Sequence, residues 1–142
     1  PVYSEELPLE ALVAVLQEFS FEICDVITQA RETRNNQLKD NVMEFIQENY
    51  ADSTLTTAMI SQVLGVSEKY IYKIVRDYTG KTFAQHVEFL RVEKAKELLS
   101  TTQLTNVEIA EKIGYHAMPT FYRVFRRNVG VAPGEYREMQ SL

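Results

Sequence analysis

The sequence predicts an all-α protein: two tandem helix-turn-helix units joined by a linker helix and preceded by an N-terminal amphipathic helix. Three observations carry this. Apolar residues recur three and four apart along most of the 142 residues, and no stretch alternates with a period of two in β-branched residues. Glycines 65, 80, 114 and 130 each follow such a periodic run, where a helix would stop. A short segment around the first two glycines also recurs around the second two.

Residues 7–34 read as one helix. Leu9, Leu12, Leu16, Phe19, Ile23, Val26, Ala30 and Thr33 form a heptad seam, and Val13, Val15, Phe21 and Ile27 widen it. Few charges occupy the flanking positions that specify a zipper. Two readings stand: a helix that packs on another part of the parent protein or on the C-terminal domain, and a helix that dimerises. "RETRNNQLKD" loses the apolar pattern, so a linker is expected near 32–37, making residues 1–37 a connector segment and 38–142 the main domain. The chain opens on Pro1 rather than Met, as a piece excised from a longer protein would.

Within 38–142, Leu38, Val42, Phe45, Ile46 and Tyr50 share one helical face. A short helix, 58–64, should end at Gly65, and Ser67 should cap the next, 68–78. Thr82 should open a linker helix of about 82–100 with Val87, Leu90, Ala95, Leu98 and Leu99 inward. Asn106 should cap the helix 107–113, Gly114 should turn the chain, and a further helix should run to Asn128. Pro133 suits the start of a last helix to about Met139. The first helix-turn-helix is thus placed at about 56–79 and the second at about 106–129.

A net charge of −5, taken over the whole chain, opposes nucleic-acid binding. Residues 1–37 hold seven acidic side chains against two basic ones, which accounts for all of it; the remaining 13 basic and 13 acidic residues balance. Placement within the balanced part then decides. Cys24 is the lone cysteine, on an apolar helix where a buried thiol is expected. One cysteine with His86 and His116 falls short of the four ligands of a structural zinc site, so no metal, cofactor or catalytic residue is expected.

"YIYKIVRDYTG" (70–80) lies on "TFYRVFRRNVG" (120–130) at a constant offset of 50. Ile71 meets Phe121 and Val75 meets Phe125, as a shared core pattern would require. Tyr72 with Tyr122, Lys73 with Arg123 and Arg76 with Arg126 match on the opposite face, which core packing does not require. Upstream, Ile60 and Ser61 match Ile109 and Ala110 at offset 49, with small residues where two helices cross; Gly65 and Gly114 allow the left-handed turn. Burying Ile71, Ile74 and Val75 rotates Lys69, Tyr72, Lys73 and Arg76 outward. Burying Phe121, Val124 and Phe125 does the same for Met118, Tyr122, Arg123, Arg126 and Arg127. A linker of about 18 residues spans ~27 Å, comparable with the ~34 Å between major grooves on one face of DNA.

These residues resemble the AraC/XylS family of bacterial transcription regulators over about residues 38–139. "GVSEKYIYKIVRDYTGKTF" is similar to the family's first recognition region, "LRVEKAKELL" to its linker helix, and "EIAEKIGYHAMPTFYRVFRRNVGVAPGEYR" to its signature. The resemblance implies seven helices in two helix-turn-helix units, binding to double-stranded promoter DNA, action through RNA polymerase as an activator or repressor, and no enzymatic activity. It also implies a cytoplasmic location for this part, with an upstream sensor outside this chain. Carried over residue by residue, it implies Lys69, Tyr72, Lys73, Met118, Tyr122 and Arg123 as base-facing. Arg76, Lys81, Arg126 and Arg127 are the phosphate contacts it implies.

Two departures stand out. Family members often carry Asp or Asn where this chain has Ala117, so the second recognition helix loses its cap, with His116 or Thr120 expected as a partial substitute. Pro119 occupies a first-turn position where a missing N–H costs little. Arg91 and Glu93 are expected to tie the two units by ion pairing, and Tyr50, Tyr78, Phe83, Tyr115 and Tyr136 to pack in the core or at its edge.

Overall fold

The computed structural model describes the backbone of residues 9–141 and the side chains of 25–141. Seven helices occur among the described residues: α1 (Leu9–Asn49), α2 (Thr57–Leu64), α3 (Glu68–Thr79), α4 (Phe83–Thr101), α5 (Asn106–Lys112), α6 (Met118–Val129) and α7 (Pro133–Gln140). By internal contacts the chain divides into residues 1–39 and 40–142.

The expected linker at 32–37 is not a break: α1 runs through it without interruption. The stretch has no Gly or Pro, and Arg, Glu, Gln, Leu and Lys are strong helix formers. All of residues 31–37 are exposed, and a helix wetted on every side has no use for an apolar stripe. Loss of apolar pattern therefore marked loss of packing, not loss of helix. Of the proposed seam, Val26 is exposed, as is neighbouring Ile27; the side chains of Leu9, Leu12, Leu16, Phe19, Ile23 and Cys24 lie outside the described residues.

Residues 40–142 hold two cores. The first joins Val42 and Ile46 from the end of α1 to Leu55, Ile60, Ile71, Ile74, Val75 and Val87. The second joins Val92, Ala95 and Leu99 to Ile109, Ala110, Ile113, Phe121, Val124 and Phe125. The linker helix α4 thus serves the first core with its first half and the second core with its second half. It also buries His86, whose pKa is pushed below the usual histidine value by burial and by the nearby Lys81 charge, so its imidazole is neutral at pH 7.

Helix starts follow local chemistry. Thr82 and Gln85 form a capping box on α4, and Thr105 with Glu108 forms another on α5. The cap of α5 is therefore Thr105, not Asn106, which is the first helical residue. The T-x-x-E spacing decides this, because Glu108 Oε2 accepts from the Thr105 N–H at 2.8 Å while Thr105 Oγ1 accepts from the Glu108 N–H at 3.2 Å. Tyr78 sits at the edge of the fold and not inside a core: it is half exposed and its hydroxyl donates to Asp40 at 2.9 Å.

Candidate nucleic-acid interface

The offset of 50 read from sequence is an offset in three-dimensional structure. α3 and α6 each have 12 residues, begin and end 50 positions apart, and close on Gly80 and Gly130, whose N–H groups donate to the Arg76 and Arg126 carbonyls. Ile71, Ile74 and Val75 are buried on α3; Phe121, Val124 and Phe125 are buried on α6. Helical geometry then leaves Lys69, Tyr72, Lys73 and Arg76 exposed on one helix and Tyr122, Arg123, Arg126 and Arg127 exposed on the other.

Among the described residues, the salt bridges engage Lys94, Lys96 and Arg127. Lys69, Lys73, Arg76, Arg123 and Arg126 have no such partner. α6 carries three arginines and no acidic residue, whereas the three cations of α3 share their helix with Glu68 and Asp77. By residue charge α6 therefore carries more net positive charge than α3 does, part of it offset by Glu88 of α4 against Arg127.

The two outward faces have different surroundings. On α3, Ser67, Lys69, Tyr72, Lys73 and Arg76 line one shallow groove. Tyr72 is not free at its tip: its hydroxyl is 3.1 Å from Thr57 Oγ1 on α2, while half of the residue stays exposed. On α6, Arg123 lines the cleft between the two units, beside Ser53, Ala84, Glu88 and Tyr115. Met118 is only half-buried and packs against the second core, so less of it faces outward than the sequence led one to expect.

Two residues of the cationic flank have partners within the protein. Arg127 is bound to Glu88 of the linker helix, whose Oε1 also accepts from Asn128 Nδ2 at 2.7 Å. That brace fixes α6 on α4, while the Arg127 side chain stays 60% exposed with donors to spare. Lys81 places its ammonium 3.4 Å from the centroid of the Phe89 ring, a cation–π contact that leaves the charge exposed on one side.

The starts of the two helices diverge most. Ser67 accepts from the Tyr70 N–H at 3.2 Å and caps α3. At the equivalent position Ala117 has no side-chain cap, and neither His116 nor Thr120 replaces it. His116 is engaged elsewhere, with Nε2 2.9 Å from Ser53 Oγ, and Thr120 is already in the first helical turn, past the position a cap occupies. Pro119 sits second in the helix, where its missing N–H is one the helix leaves unpaired anyway. Ala117 already has extended N-cap backbone geometry, with φ −102° and ψ 114°. Ala117→Asn is therefore expected to stabilise the domain by ~1 kcal/mol and raise its melting temperature by about 4–8 °C. A thermal melt with no rise would show that another group already satisfies those N–H groups.

The expected ion pairing of Arg91 and Glu93 across the units takes another form. Glu93 pairs with Lys96 on its own helix at 3.1 Å. Arg91 donates to two backbone carbonyls of the first unit, Tyr50 and Asp52. Nothing in the sequence pointed to Glu88, Asn128, Thr57 or Ser53, whose partners are 15 to 63 residues away in the chain.

A family described as a helix-turn-helix domain matches residues 60–139. The chain is 26% identical to the uncharacterized HTH-type transcriptional regulator YpdC of Escherichia coli over 93% of its own length and 46% of that relative. It thus spans about half of that protein. It is 30% identical to the regulatory protein SoxS of Salmonella typhimurium, over 72% of this chain and 95% of SoxS. Among solved structures, the C-terminal domain of AraT, a response regulator from Geobacillus stearothermophilus, superposes with a TM-score of 0.69 at 32% identity, covering 72% of this chain and 84% of that one.

Proposed function

Because this chain belongs to the AraC/XylS family of helix-turn-helix transcription regulators, we propose that its residues 40–142 read two successive major grooves on one face of promoter DNA. α3 enters one groove with Lys69, Tyr72 and Lys73; α6 enters the next with Tyr122 and Arg123 and a smaller contribution from Met118. Arg76, Lys81 and Arg126 take phosphates, with Arg127 beside them at the Glu88 brace. The observation that carries this is the pair of equal helices 50 residues apart, each with a core-facing side and an outward side bearing cations without partners. Lysine and arginine donate to guanine O6 and N7, while the tyrosine rings offer an apolar face to thymine methyl groups.

The protein acts on this reading as a binding module of a transcription regulator, not as an enzyme, with RNA polymerase its further partner and the cytoplasm its place of action. Among the described residues, no helix is long and apolar enough to cross a membrane. The heptad spacing of residues 7–34, with Val26 and Ile27 exposed, supports a second copy of the chain as the partner of that face.

Selection of bound duplex from a random pool would yield the two half-sites. Lys73→Ala and Arg123→Ala are then each expected to cost ~1–3 kcal/mol and to relax base preference in different half-sites. Loss of preference in the same half-site for both variants would refute two-groove reading. A wild-type chain that prefers no sequence at moderate salt would refute the function itself.

A further inference from the structure

We propose that Arg91 is a positioning residue for DNA recognition. It fixes the register between the two recognition helices, so that the protein accepts its two half-sites at one spacing. This rests on the reading of α3 and α6 as groove readers.

α1 ends at Asn49 with no basic residue in its last turn, and the carbonyls at a helix end have no partners within the helix. From α4, Arg91 reaches two carbonyls of the turn that follows that end. Its Nε donates to the Tyr50 carbonyl at 2.6 Å and its Nη2 to the Asp52 carbonyl at 3.0 Å. One planar guanidinium thus closes the end of α1 and the start of the loop to α2, and its charge complements the negative end of the helix dipole.

The same side chain meets the second unit. Arg91 Cζ lies 5.1 Å from the centroid of the Tyr115 ring, in the turn between α5 and α6. Next to Tyr115, Gly114 carries no side chain, and a Cβ there would stand 2.8 Å from the Ala51 oxygen and 3.3 Å from Arg91 Cζ. The two turns are therefore in backbone contact, with the guanidinium between them. The Ser53 hydroxyl and His116 Nε2, 2.9 Å apart, join the same two turns. By contrast, the Glu88 brace connects α4 to α6 alone.

Residues 50–53 lead into α2 and α3, and residues 114–116 lead into α6. Holding these two turns together holds the two recognition helices. Moving one half-site by one base pair shifts it ~3.4 Å along the duplex and about a tenth of a turn around it. Units joined at a backbone contact cannot follow that displacement.

The test measures the affinity of the full chain for duplexes carrying both selected half-sites at centre-to-centre distances varied one base pair at a time, and for duplexes carrying one half-site. Wild type is expected to favour one distance over its neighbours by about tenfold or more. Arg91→Gln, which keeps much of the length but loses the forked donors, is expected to compress that preference to about threefold or less, while single-half-site affinity changes by less than about twofold. An unchanged distance profile overturns the proposal. So does an equal loss on every duplex, which would mean that Arg91 only supports folding. Ser53→Ala, at an exposed position that does not endanger folding, is read in the same way; it should broaden the profile in the same direction and by less, and an unbroadened profile counts against the proposal even if Arg91→Gln fails to fold. A wild-type chain that recognises each half-site but shows no preferred distance overturns the register and leaves the DNA-binding function standing.

Discussion

Phe121→Ala is expected to destabilise the second unit by about 3–5 kcal/mol. Phe121 is completely buried, and its ring centroid lies 6.2 Å from that of Tyr115, 5.8 Å from Tyr122 and 6.0 Å from Phe125. Truncation removes the transfer free energy of the ring and leaves a cavity bounded by three aromatic groups that cannot all close on it. A small domain has roughly 5–15 kcal/mol to lose, so the variant should stand near the edge of folding at 25 °C. Because the two cores share only α4, the damage should be local. Hydrogen exchange is expected to show protection falling in α5, α6 and α7 while α2 and α3 change less. Equal loss in both units would mean that the cores melt as one. Tyr122, a proposed base reader, packs on the same ring, so DNA affinity should fall with the fold.

How far the sequence carried this reading is clearest in the contrast between α3 and α6. Their core faces follow from apolar periodicity, and the cationic faces opposite follow from helical geometry, so both were visible in the residues at 71–76 and 121–126. The lost cap at Ala117 was visible for the same reason, once Ser67 was laid against it. What periodicity cannot encode is where a long polar side chain goes after it leaves its helix. Arg127 has the same residue type and pattern as Arg126, yet Glu88, 39 residues away, holds one and not the other. Arg91 looked like an ion-pairing residue because charge is what a sequence shows; its partners are backbone carbonyls, which no residue type announces. The linker at 32–37 failed on a third ground. Amphipathic pattern reports burial, and a helix exposed on all sides has none to report.

Gly114→Ala is expected to be the most damaging substitution at a turn, on the order of 3 kcal/mol or more. Two costs combine. The backbone at Gly114 has φ +101°, a region that residues with a Cβ rarely adopt. The added methyl would also stand 2.8 Å from the Ala51 oxygen and 3.2 Å from the Ala51 carbonyl carbon, main-chain atoms that cannot rotate away. Gly130 separates these contributions. It closes α6 at φ +93°, close to the Gly114 value, and a Cβ there meets nothing within 4 Å. Gly130→Ala should therefore cost only the positive-φ backbone penalty, ~1–3 kcal/mol. Urea melts of the two variants beside wild type make the comparison, and the excess at Gly114 measures how firmly the turn of the second unit is pressed on the first. Equal costs at the two glycines would mean that Ala51 yields, and that the two turns are not in rigid contact. A clear excess would place the pressure where the Gly114 turn meets the Ala51 main chain, with Arg91 Cζ, 3.3 Å from that methyl, beside them.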